Sequence, residues 1–285
     1  MEVESSIAFL SPMRLYEREK PFFSNIPFFD IEGARQSNLR TLHEPVTLQD
    51  IRGNEDNYTL DNNGFQVVKE VAFGTSEDFE DDSWIIENYE PKVKEAIKRA
   101  TGAERVEIFD FTKRKMMPGF EPGSYGTKSV SSPIPTAHCD NTLGSCLRRV
   151  MRDMGDEATN LLRDRVQIIN LWRPLCGPIK DWPLAVCDYS SVDHRDMIAT
   201  DMIFPHYDGE VFSVIHNKNQ KWYYLSDQTP DELWLLKCAE TDQSVGIAKL
   251  CAHSSFQVKD LPLEFTPRES IEFRTMVFFP SNVPR

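Results

Sequence analysis

At 285 residues and a formal net charge of −13, the chain is long enough to bury a core unaided. Its basic residues are scattered rather than gathered into a stripe, so a phosphate backbone would be repelled and nucleic acid is excluded as an expected partner. No run of eighteen apolar residues occurs, and Met1-Glu2-Val3-Glu4 opens acidic rather than as a secretory leader, so a cytoplasmic protein without a membrane partner is expected.

In chain order, residues 1–60 mix Pro, Asn and Asp with short apolar clusters such as Pro21-Phe22-Phe23 and Ile26-Pro27-Phe28-Phe29, and read as an irregular arm packed on the main domain, 61–285. Phe65–Phe73 reads as a first strand. Glu87–Ala100 carries good helix formers, a proline near its start and Gly102 just past its end, and predicts a helix. Val106–Phe111 alternates as a second strand. Between Lys113 and Pro135 stand too many prolines and glycines for a regular element, which predicts a long loop that would serve as a lid, with Arg114 at its mouth placed to meet an anion.

Leu143–Leu162 predicts one or two helices broken at Gly155, with Leu147, Val150, Met151, Met154, Leu161 and Leu162 as a core-facing stripe. Val166–Trp172 and Trp182–Tyr189 read as buried strands. Val211–His216 and Lys221–Leu225 flank Asn217-Lys218-Asn219-Gln220, the composition of a hairpin loop. Leu233–Glu240 is compatible with helix or strand, Gly246–Phe256 follows it, and Ser270–Pro280 closes the chain as a strand. Helices before 165 and strands after 100 fit a mainly β, distorted double-sheet barrel backed by helices. The six cysteines contain no C-x-x-C pair and read as free, mostly buried thiols.

The chemistry concentrates at His138-Cys139-Asp140. On an extended strand alternate side chains share a face, so His138 and Asp140 would grip one ion together. An iron(II) site of two histidines and one carboxylate needs a further imidazole. His253 is the leading candidate, with His216 and His206 behind it. Arg268 and Ser270 share a strand face, and a guanidinium beside a hydroxyl suits a carboxylate held by charge-assisted hydrogen bonds. Asn170 and Trp172 share one face of their strand and Arg173 takes the other, so one set at most lines a pocket.

With these residues in place the sequence resembles the iron(II) and 2-oxoglutarate-dependent dioxygenases, and more closely the fungal hydroxylase/desaturase group of secondary metabolism that includes the AsaB, CmcJ and gibberellin-desaturase-like proteins. The resemblance is carried by His138-Cys139-Asp140-Asn141-Thr142, Asn170-Leu171-Trp172-Arg173-Pro174-Leu175, Pro183-Leu184-Ala185-Val186-Cys187-Asp188, Lys221-Trp222-Tyr223-Tyr224, Asp231-Glu232, His253-Ser254-Ser255-Phe256 and the run from Pro267 to Arg274. It implies a jelly-roll, cupin-like double-stranded β-helix. It also implies His138, Asp140 and His253 as iron ligands, and Arg268 with Ser270 as the 2-oxoglutarate clamp. The gap from His253 to Arg268 is longer than the family's usual spacing, which keeps Arg274 as a rival clamp. Gln220 stands where relatives often carry histidine.

Three protein ligands would leave iron three positions, two for a 2-oxoglutarate chelate and one for O2. The expected substrate is a small apolar metabolite, oxidised at an unactivated C–H bond; a homodimer is compatible with the unassigned arm. A non-catalytic cupin-like binding module with structural histidines is the alternative from a different class, and an iron oxygenase drawing its electrons elsewhere is a third.

Overall fold

Strand β7 (Val166–Pro174) is buried along its whole length, with no polar alternation. The reason is that both of its faces are covered, one by a second sheet and one by helix. The computed structural model describes residues 2–26, 32–33, 35–116, 131–205 and 207–281. Within them the other strands are β1 (Glu2–Leu10), β2 (Phe22–Ser24), β3 (Thr41–Asp50), β4 (Phe65–Lys69), β5 (Arg105–Lys115), β6 (His138–Cys139), β8 (Leu184–Cys187), β9 (Met197–Phe204), β10 (Tyr207–Val214), β11 (Trp222–Tyr224), β12 (Glu232–Glu240), β13 (His253–Ser255) and β14 (Glu269–Phe278). Two longer helices are α1 (Glu90–Thr101) and α2 (Leu143–Met154).

Among the described residues a nine-stranded sheet runs β1-β3-β11-β8-β13-β6-β10-β9-β2, and a five-stranded sheet runs β4-β12-β7-β14-β5. Between them lies a core that takes Ile7 and Phe9 from β1, Leu48 from β3, Ala185 and Cys187 from β8, Trp222 from β11 and Ile168 from β7. The outer face of the five-stranded sheet sends Ile169, Leu171, Leu233, Leu235, Ile271 and Phe273 against Val93 and Ile97 of α1 and Ile85 and Tyr89 just before it. The expected helix is thus present, starting at Glu90 and ended by Gly102 in the left-handed region at φ 72°. Two facing sheets, the larger with neighbours distant in sequence, form the expected jelly roll.

Three sequence expectations are corrected. The segment read as an irregular arm supplies β1, β2 and β3, and β1 pairs antiparallel with β3 along its length. Pro45 lies within β3 opposite Ser6 of β1, and β3 meets β11 only from Leu48 to Asp50. The turn at Asn217–Gln220 exists, with Gln220 N–H donating to Asn217 O at 3.0 Å, but it joins no hairpin. The strand before it pairs with β9 and β6, and the strand after it with β3 and β8.

In the helical stripe Val150 is buried and Met154, Leu161 and Leu162 pack against the same core, whereas Leu147 and Met151 are exposed at 37% and 51%; the inward face of α2 instead takes in Cys146. Strand β9, which carries no strong periodic signal, was not expected at all. The bulk of the 113–135 loop, residues 117–130, lies outside the described residues, as do His206 and Pro27–Phe29.

One buried ionic group ties the two sheet ends. Lys237 Nζ on β12 reaches Glu240 Oε2 at 3.0 Å and Asp61 Oδ1 at 2.7 Å, while Arg165 Nη2 donates to the same Glu240 oxygen at 2.7 Å. Lys237 and Glu240 side chains are fully buried. Burial opposes ionisation of Asp61, and the hydrogen bonds from Arg165 and Lys237 outweigh it, holding its carboxyl below the ordinary range. A depressed folded value means stability present above the unfolded pKa, about 3.9, and lost as pH falls toward the lower folded one. Lys237→Met, which leaves Glu240 short of a counter-charge, is expected to cost about 3 kcal/mol in urea unfolding. Asp61→Asn should flatten the acid limb of stability measured below about pH 4.

Candidate metal centre

The register of two short strands makes the site. His138 on β6 is the direct antiparallel partner of His253 on β13, so both imidazoles leave the same face of the large sheet and their ring centroids stand 4.5 Å apart. Asp140, two residues beyond His138, turns back to place Oδ1 3.3 Å from His138 Nε2. One ligand atom from each of His138, Asp140 and His253 lies within 4.8 Å of the others. Two imidazoles and a carboxylate converging from one side of a sheet are the donor set of a ferrous facial triad.

Backbone carbonyls fix both imidazoles. Thr136 O lies 2.8 Å from His138 Nδ1 and Cys251 O lies 3.0 Å from His253 Nδ1. A carbonyl can only accept, so each Nδ1 donates and is committed, which leaves each Nε2 as the nitrogen a metal could take. Burial, with the His138 charge adding to it, pushes the His253 imidazole below its ordinary pKa. Burial opposes protonation of His138 too, but the Asp140 hydrogen bond prevails and raises it. Against the burial penalty, the charge of Arg274, then His138 and His253, hold the Asp140 carboxyl well below the usual range. The carboxylate is ionised and ready to coordinate.

Opposite, Arg268 just before β14 and Ser270, Glu272 and Arg274 along it turn toward the large sheet, since alternate positions share a face. Arg268 is 1% exposed. Its Nε donates to Ser270 Oγ at 3.2 Å and its Nη1 to Trp182 O at 2.7 Å, and the guanidinium lies 4.9 Å from the centroid of the Trp172 ring. Burial, with Arg114 nearby, pushes Arg268 down to about 9. Among the described residues no carboxylate lies within ion-pair distance of it.

A cleft joins the two sides, lined by His138, His253, Arg268, Arg114, Trp172, Glu272 and the apolar Ile134 and Leu184. Arg114 therefore reaches the same cleft, with Nη1 donating to Ser132 O at 3.1 Å.

The other sequence candidates sort by face. Asn170 turns inward with Trp172 and donates Nδ2 to Asp140 Oδ2 at 2.8 Å. Arg173 takes the opposite face, lying over Phe79 and Tyr89 and donating to the carbonyls of Phe73 and Pro230. Arg274 is engaged by three carboxylates, Asp140, Asp110 and Glu272. His216 packs on Phe9, 5.1 Å between centroids, away from the triad. Glu272 was missed by sequence reasoning, although its even position between Ser270 and Arg274 placed it inward; Asp181, which accepts from the Arg268 backbone N–H at 3.1 Å, gave no such signal.

A family model described as "YDMC: Oxidoreductase/YMDC permease-like domain" matches residues 7–278. Among the described residues no helix is long and apolar enough to cross a membrane. The Fe(II)/2-oxoglutarate-dependent dioxygenase nvfI of Aspergillus novofumigatus is 32% identical over 251 residues, covering 86% of this chain and 87% of the relative. The chain belongs to the Fe(II)/2-oxoglutarate-dependent dioxygenases. The hydroxylase/desaturase efuI of Hormonema carpetanum is 34% identical to this dioxygenase over 83% of this chain and 84% of that one. A solved structure of the iron and alpha-ketoglutarate-dependent endoperoxidase NvfI superposes on the dioxygenase with a TM-score of 0.85 at 28% identity, covering 98% of each chain.

Iron(II), 2-oxoglutarate and O2 are thus the reagents of the dioxygenase, and the His-Asp-His donor set fits the metal. Replacing His138 or His253 by Ala, or Asp140 by Ala, would remove one of the three candidate donors. Each variant should bind Fe(II) at least about 10-fold more weakly in anaerobic equilibrium dialysis, with an unchanged far-ultraviolet circular dichroism spectrum.

Proposed function

We propose that the dioxygenase oxidises an unactivated C–H bond of a small, largely apolar secondary metabolite, of terpenoid, polyketide or amino-acid origin, with His138, Asp140 and His253 holding the iron and Arg268 with Ser270 holding 2-oxoglutarate. One observation carries this reading. A buried guanidinium without a carboxylate partner among the described residues faces, across one cleft, two imidazoles whose Nδ1 atoms are taken by backbone carbonyls, leaving Nε2 of each for a metal. The distal carboxylate of the diacid supplies the charge that Arg268 is short of, and Ser270 adds a hydroxyl to the same end. Arg274 is less suited to that task because Asp140, Asp110 and Glu272 already use its donors.

Bound there, iron and 2-oxoglutarate supply oxidation by O2, with succinate and carbon dioxide as co-products. The protein supplies placement. The carbonyls of Thr136 and Cys251 hold Nδ1 of each imidazole and aim the rings, and Trp172 backs the Arg268 guanidinium. Ile134 and Leu184 give the cleft apolar walls suited to a substrate without charge and to exclusion of water. The relatives are named for hydroxylation, desaturation and endoperoxide formation, so the outcome is assigned to how the substrate is seated rather than to the triad.

Anaerobic addition of Fe(II) and then 2-oxoglutarate to the purified chain should produce a weak visible charge-transfer band, and oxygen should then release succinate. Arg268→Gln should raise the 2-oxoglutarate concentration for half-maximal band intensity about 10- to 100-fold, the worth of a buried charge-assisted hydrogen bond. Bound metal with no band on adding the diacid would favour a binding module instead.

A further inference from the structure

Arg274 is the most heavily engaged side chain near the triad, and the strand register explains how. Its antiparallel partner on β5 is Asp110 and its partner on β7 is Asn170. One polar row thus crosses three strands of the small sheet, and it points at Asp140. Arg274 Nε and Asn170 Nδ2 both donate to the same oxygen, Asp140 Oδ2, each at 2.8 Å. The other carboxylate oxygen, Oδ1, is the one 3.3 Å from His138 Nε2.

The two donors are themselves held. Arg274 Nη2 donates to Glu272 Oε2 at 3.1 Å, and its Nη1 donates to Asp110 Oδ2 at 2.9 Å and Thr112 Oγ1 at 2.8 Å. Asn170 Nδ2 also donates to Glu272 Oε1 at 3.0 Å. Between them the guanidinium and the amide tie two carboxylates together without either carboxylate turning toward the other. Asn170 is wholly buried, and its Oδ1 makes no hydrogen bond to the described residues. The amide orientation is therefore dictated by the two carboxylates that need its N–H groups.

We infer that Arg274 and Asn170 are positioning residues of the metal centre, which occupy Oδ2 of Asp140 so that the carboxylate coordinates through Oδ1 alone, while Glu272 and Asp110 fix Arg274 and offset its charge. The inference rests on the reading of His138, Asp140 and His253 as the iron ligands. A carboxylate free to rotate can chelate a ferrous ion through both oxygens and use one of the positions that co-substrate and oxygen need. Two short hydrogen bonds to one oxygen oppose that rotation. Glu272 and Asp110 keep Arg274 from drawing the Asp140 charge away from the metal side.

The test uses the full chain and Fe(II) alone as probe, in anaerobic equilibrium dialysis, with 2-oxoglutarate affinity read separately from the visible band at saturating iron. Arg274→Gln should weaken Fe(II) binding about 10- to 100-fold and change 2-oxoglutarate affinity less than threefold, the opposite pattern to Arg268→Gln. Arg274→Lys keeps the charge but not the fork, and should remain at least fivefold weaker than the parent chain. Asn170→Asp turns a donor into a second carboxylate facing Oδ2 and should give a similar loss of Fe(II) affinity, which keeps the test in force if the Arg274 variants melt below the assay temperature.

Fe(II) binding within twofold of the parent chain in Arg274→Gln or Asn170→Asp would overturn the inference. So would full recovery in Arg274→Lys, which would reduce the role to charge alone, or a loss confined to 2-oxoglutarate, which would make Arg274 a clamp. Failure of the parent chain itself to bind Fe(II) would instead overturn the ligand assignment beneath it.

Discussion

The pairing of His138 with His253 across two very short strands is the constraint on which the rest depends. β6 has two residues and β13 three, so little of the sheet is available to specify their register. A slip of one residue would send an imidazole to the opposite face of the large sheet. What holds the register is the neighbourhood: β6 is pinned by β10 through Cys139 and Phe212, and β13 by β8 through three consecutive pairs. The nine-stranded sheet is thus the frame for a pair of residues, and the N-terminal strands that close its far side belong to that frame.

The small sheet contributes charge rather than metal donors. In a chain of net charge −13, two arginines six residues apart on one strand face have been given opposite surroundings. Arg274 is enclosed by carboxylates that fix every part of its fork. Arg268 is enclosed by an indole, a hydroxyl and a carbonyl, which orient it without neutralising it. Removing a cation from water without a counter-charge is unfavourable, so the second environment selects for an anionic ligand, whereas the first is already balanced. The same residue type would therefore serve, by our proposal, the diacid in one place and, by our inference, the iron ligand in the other.

Much of this was legible in the sequence, for a geometric reason. The period of two along a strand pairs His138 with Asp140, Arg268 with Ser270, and Asn170 with Trp172, and each pair does share a face. That same period could not separate Arg268 from Arg274, because 268, 270, 272 and 274 all point inward; only the partners across the sheet distinguish them. Glu272 escaped notice for the complementary reason that an acidic residue in a strand suggests a solvated face. The hairpin expected at Asn217–Gln220 failed because turn chemistry says that the chain reverses and is silent on which strand each arm then joins. The N-terminal strands were hidden by their mixed Pro, Asn and Asp composition and by pairing across some thirty intervening residues, an order of contact that local pattern does not carry.

Each imidazole of the triad has its Nδ1 held by a carbonyl two residues upstream on its own chain segment. A peptide oxygen is present whatever amino acid stands at positions 136 and 251. The seating of these two rings is thereby written into the main chain, and the side chains that wall the cleft take no part in it.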